Sequence, residues 1–77
     1  MLLTITREEL ELQGINYKEA LQIIFGNRLF TRGLDLPPKS RKVALKFAQY
    51  YLDSGFICLL AEHRWYLTVW LEDQKTN

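Results

Sequence analysis

Cysteine is nearly absent from the 77-residue chain: Cys58 stands alone, which excludes an intramolecular disulfide and a thiolate metal cluster. A single free thiol suits a reducing compartment, and the expected location is cytoplasmic. His63 is the only histidine, and one imidazole at an expected turn makes no metal site. Proline occurs only as Pro37–Pro38, and no linker or low-complexity run is present. No apolar run reaches membrane-spanning length. The start, Met-Leu-Leu-Thr-Ile-Thr-Arg-Glu-Glu, lacks the basic region and apolar stretch of a signal peptide. Charge of one sign is also missing, because ten Lys and Arg against nine Asp and Glu leave a net +1. So weak a field steers the molecule toward neither nucleic acid nor membrane.

Apolar residues make up 48% of the chain, enough for one folded domain spanning residues 1–77. Thr6 with Glu9 reads as a capping box, Ile5 with Leu10 as a hydrophobic staple, and Gly14 as a stop, predicting a helix over about 6–13. Asn16 and Glu19 repeat the signal, and Tyr17, Ala20, Leu21, Ile24 and Phe25 fall on one helical face. A second helix is therefore expected over about 17–26, closed by Gly26. Asn27 to Lys39 reads as a loop tied down by Leu29, Phe30, Leu34 and Leu36. Val43, Ala44, Phe47, Ala48 and Tyr51 form the inner stripe of a third helix over about 39–54.

The last third, Phe56 to Glu72, is rich in β-branched and aromatic residues without Gly or Pro, and predicts a hairpin reversing near Glu62–Trp65. In one register Ala61 faces Tyr66, Leu59 faces Thr68 and Ile57 faces Trp70. Phe56, Cys58 and Leu60 beside Leu67, Val69 and Leu71 make the other face. Both faces are apolar in every register, whereas a hairpin covered on one side alternates apolar with polar. A second cover is needed, from the chain itself or from a partner. The end, Glu72 to Asn77, is polar and expected to fray.

The expected fold class is α+β, three helices packed on a C-terminal antiparallel hairpin. That is the element order of a winged helix, with Met1–Ile5 available as a third strand. Arg41 to Ile57 resembles the last helix and first wing strand of such domains, and in Arg41, Ala44, Leu52, Gly55 and Ile57 it is similar to the DEP family. The resemblance implies architecture and not family membership.

Charge is placed unevenly: residues 27–46 hold six bases, Arg28, Arg32, Lys39, Arg41, Lys42 and Lys46, against Asp35 alone. These form the candidate site for an anion or acidic partner, since bases at a helix start are locally unfavourable unless an anion offsets them. Ile57, Leu59, Tyr66 and Trp70 form the candidate partner-binding face. The expected function is a non-enzymatic interaction or regulatory adaptor module, docking on a protein partner or on itself. The alternative is a winged-helix-like nucleic-acid-binding regulator reading with its basic third helix. A helix-turn-helix over Thr6–Phe25 offers few base-reading side chains, and stacking of RNA bases on Trp65, Tyr66 or Trp70 lacks accompanying bases on the strands. No catalytic residue, cofactor or metal is expected: Cys58 lies in an apolar strand, and no GxSxG, P-loop or GxGxxG spacing occurs.

Overall fold

The structure, a computed structural model, describes residues 1–73. Five strands and two helices follow in the order β1 (Leu2–Thr6), α1 (Arg7–Leu12), β2 (Gln22–Phe25), β3 (Arg28–Leu36), α2 (Arg41–Asp53), β4 (Cys58–Glu62) and β5 (Leu67–Glu72). One turn of 3-10 helix, Pro38–Ser40, leads into α2. The strands form a single curled sheet in the order β1-β4-β5-β3-β2, antiparallel throughout except for the parallel pair β1–β4. The fold is thus strand-rich, and the expectation of three helices on a hairpin, with its winged-helix order, is overturned.

The expected second helix is the source of the error. Tyr17 to Leu21 forms no helix, and Gln22-Ile-Ile-Phe25 is a strand. Gly26 (φ 58°) and Asn27 (φ 62°) are the two central residues of a tight hairpin turn between Phe25 and Arg28. Two successive positive φ angles are what a twisted two-residue hairpin requires, and Gly and Asn adopt them most readily. Gly26 therefore turns a hairpin and does not close a helix. Beyond it, the expected loop is the nine-residue strand β3, bulged between Arg32 and Leu34.

Local signals elsewhere produce the elements they encode. Thr6 Oγ1 accepts the Glu9 N–H while Glu9 Oε1 accepts the Thr6 N–H, each at 3.3 Å, so the capping box opens α1. Ile15 N–H donates to Leu10 O at 3.0 Å across Gly14, whose φ is +70°. The C-terminal strands close through residues 63–66, with Glu62 opposite Leu67, Ala61 opposite Thr68 and Leu59 opposite Trp70. The register, left open by the sequence, is two places from the one pairing Ala61 with Tyr66, so each residue keeps its face.

Both apolar hairpin faces find their cover within the chain. Cys58, Leu60, Leu67 and Val69 lie under Ala44 and Ala48 of α2. On the other side Leu59, Ala61 and Trp70 pack with Ile5, Leu10, Tyr17, Ile23 and Phe30. Tyr17 is drawn over this second cluster by the irregular segment after α1, and the curl of the sheet brings in Ile23 and Phe30. Glu72 belongs to β5 and Asp73 N–H donates to Leu29 O, so the polar end starts ordered; the expected fraying of residues 74–77 lies outside the described residues.

Candidate functional site

Of the expected partner-binding face, Leu59 and Trp70 are 0% exposed, Ile57 is half-buried against the same cluster, and Tyr66 is half-buried with its ring stacked on His63. Leu59 and Trp70 thus belong to the core, whereas Tyr66 lines a cleft on the surface. The six bases also separate. Arg28 pairs with Glu72 at 2.6 Å, and Arg41 pairs with Glu62. Lys39, Lys42 and Lys46 stay exposed at helical spacing, on one side of the turn and helix.

Arg32 turns inward. Its Nε donates to Ala20 O at 3.0 Å and its Nη2 to Tyr17 O at 2.6 Å and Lys18 O at 3.3 Å. Nη1 reaches both carboxylate oxygens of Asp35 at 3.0 Å, and the guanidinium lies 4.8 Å from the Trp70 ring centroid. Asp35 in turn accepts the Thr68 hydroxyl at 2.6 Å. Arg32 thereby ties the segment carrying Tyr17 to the sheet. Its planar fork with several fixed donors suits this, where a lysine would not.

His63 sits between the Tyr17 and Tyr66 rings, at 4.9 and 4.2 Å between centroids. Both imidazole nitrogens are buried without a hydrogen-bond partner in the described structure, as is Arg7 Nε. Burial, and then the Arg32 guanidinium, hold the imidazole below its ordinary pKa; Arg7 adds to this and Asp35 opposes it. A cleft of about 450 Å³ opens beside this stack, between Arg7, Glu11, Lys18, Arg64 and Trp65. Its charges are of both signs: Glu11 accepts the Tyr17 hydroxyl, and Arg64 lies over the exposed Trp65 ring. Among the described residues no three His, Cys, Asp or Glu side chains come together as metal ligands, and no helix is long and apolar enough to cross a membrane. The Cys58 thiol is buried beneath α2, near Ala48 O at 3.7 Å, and burial pushes its pKa up.

The surface that sequence reasoning missed is the outer edge of β2. The two-residue turn and the bond from Arg32 N–H to Leu21 O fix the phase of the β2–β3 ladder. Leu21, Ile23 and Phe25 direct their backbone groups to β3, and Gln22 and Ile24 direct theirs outward. Beside this edge Leu21 is 77% and Ile24 67% exposed, with Leu29 opposite Ile24. A hollow of about 430 Å³ lies between Ile24, Leu29 and Ile15–Asn16. The Gln22 side chain anchors the strand through Thr31 Oγ1 at 3.3 Å and Asp73 Oδ2 at 2.9 Å. The signal was present in Gly26–Asn27 between two apolar runs, but the helical spacing of Tyr17 to Phe25 masked it. Compared with family models, curated proteins and solved structures, the chain matches none.

Proposed function

We propose that the protein is a small, non-enzymatic, cytoplasmic interaction module that takes an extended protein strand onto the open edge of β2. The observation that carries this reading is the coincidence of outward backbone N–H and C=O groups at Gln22 and Ile24 with exposed apolar side chains at Leu21, Ile24 and Leu29. An added strand gains affinity from main-chain hydrogen bonds and selectivity from side-chain pockets, and the hollow beside Ile15 supplies such a pocket. Edge strands that must stay unpaired commonly carry lysine, proline or an inward charge, and Leu21 to Phe25 carries none of these. Docking moves in this reading from the hairpin face, covered by the chain's own elements, to the sheet edge. The buried Cys58 thiol supports the non-enzymatic part, since it is not open to a substrate.

A photo-crosslinking residue placed at Ile24, with a control at Lys46, tests it in cells that express the protein. Cross-links from position 24 should map to an extended segment of a protein and vanish on introducing Gln22→Pro. Equal labelling from both positions, or labelling from Lys46 alone, would overturn the reading.

A further inference from the structure

We infer that His63 is a pH-operated latch: its neutral ring holds the turn 63–66 against Tyr17, and protonation releases that turn. The imidazole lies nearly parallel to the rings on either side of it, at 22° to Tyr17 and 24° to Tyr66. Tyr17 belongs to the segment after α1 and packs into the second cluster. Tyr66 belongs to the connection between β4 and β5, where its carbonyl accepts the His63 N–H at 3.0 Å. The stack is thus a seam between two parts of the fold. It asks for flat rings and no hydrogen bond. Both imidazole nitrogens are buried without a hydrogen-bond partner among the described residues. A neutral ring leaves one N–H unmet there, whereas an imidazolium leaves two and carries its charge with them. The tyrosine faces attract a cation, but in a parallel stack the N–H groups point along the rings and find no acceptor there.

The charges around the ring favour release. On α1, Arg7 pairs with Glu8, and Glu11 is occupied by the Tyr17 hydroxyl. On β3, Asp35 is held by Arg32 and Thr68. Glu62, which precedes His63, pairs with Arg41. Each of these carboxylates already has a partner, and Glu19, also on the cleft, is exposed where water screens it. Against them stand Arg32 and Arg7, which oppose a further positive charge at His63, with Lys18 and Arg64 on the cleft wall. Space for the freed ring lies on two sides. The cleft of about 450 Å³ and a second hollow of about 350 Å³, lined by Thr6, Glu8 and Glu62, are both bordered by Arg7, His63 and Arg64. Burial and then Arg32 lower the pKa of the stacked ring, and in water the freed imidazole recovers the ordinary 6.5. The open form therefore binds the proton more readily and gains on the closed one as pH falls through that value.

NMR of the full chain between about pH 8 and 5 tests the inference. His63 is the only histidine, so its ring signals are unambiguous. As it titrates, the Tyr17 and Tyr66 ring signals should shift toward unstacked positions with the same midpoint, because the three rings part together. Exchange of the His63 amide, corrected for its intrinsic pH dependence, should speed up at least about tenfold. The Leu59 and Trp70 amides, farther along the same β4–β5 ladder, should keep their protection, since only the turn opens. His63→Phe keeps a flat ring that takes no proton, and should abolish both changes. Tyrosine signals that stay still while His63 titrates, or that still move in His63→Phe, would overturn the inference. So would loss of protection at Leu59 and Trp70 at the same pH as at His63, which marks global unfolding. A His63 ring that takes up no proton before the chain unfolds would do the same. If His63→Phe does not fold, the wild-type tyrosine shifts and the three amides decide the matter.

Discussion

Arg32 donates to the carbonyls of Tyr17, Lys18 and Ala20 from a side chain only 17% exposed, with Asp35 as its counter-ion. Replacing it by methionine keeps much of the apolar stem but strands three carbonyls and one carboxylate. Charged hydrogen bonds contribute about 1.5–3 kcal/mol each, though not additively. Arg32→Met should therefore cost roughly 3 kcal/mol in urea unfolding, far more than the loss of a surface base. A cost below about 0.5 kcal/mol, the usual range for surface substitutions, would contradict the hub role. His63 gives a second residue-level test. Its folded pKa lies below the ordinary 6.5 because of burial and then Arg32, so the unfolded chain takes up the proton first as pH falls. The stability this group contributes is complete above the unfolded value and drains away as pH drops below it. Urea midpoints should fall between about pH 7.5 and 5.5, and His63→Phe should flatten that dependence.

At the scale of elements, β3 carries a bulge between Arg32 and Leu34 where it pairs with β5. Gly33 sits inside it, where an added Cβ would meet Val69 O at 2.9 Å and Leu71 side-chain carbons at 3.3 Å. The obstacle is backbone of the neighbouring strand and cannot swing aside as a side-chain end would. Gly33→Ala should destabilise the protein by about 1–3 kcal/mol, as overpacking does. Thermal unfolding of that variant checks it, and an unchanged midpoint would mean that β5 yields. The same close approach explains why a segment holding Gly33 reads as a loop in the sequence. Nothing local reveals that the glycine is there to let two strands touch.

For the molecule as a whole, β4 and β5 are shared by both apolar clusters, Cys58, Leu60 and Val69 facing one and Leu59, Ala61 and Trp70 the other. Neither cluster can dissolve without exposing the strands that hold the other. Unfolding should therefore be a single cooperative transition. With exposed Trp65 replaced by phenylalanine, Trp70 fluorescence reports the second cluster and far-ultraviolet dichroism reports α2 on the first. The two curves should superimpose in urea, and separated midpoints would show that the clusters melt independently. Shared strands also explain how so short a chain supports a sheet covered on both faces.

Sequence alone determined the features that depend on neighbours along the chain. Thr6 and Glu9 cap a helix because the two groups lie three residues apart, and the stripe Ala44, Ala48, Tyr51 is amphipathic at helical spacing wherever it packs. The two-faced hairpin was legible for a similar reason, since strand alternation assigns Leu59 and Trp70 to one face and Cys58 and Val69 to the other in any even register. Tertiary structure decided what a local pattern cannot carry. Tyr17 to Phe25 satisfies a helical period, yet Ile23 pairs with Phe30 and is buried as a strand residue, because long-range pairing and burial outweigh weak helical preference. Arg32 looked like one base among six until the fold placed Tyr17 O and Ala20 O within its reach. The open edge of β2 likewise exists only because the sheet ends there, and strand order follows from which contacts close, not from spacing in the chain.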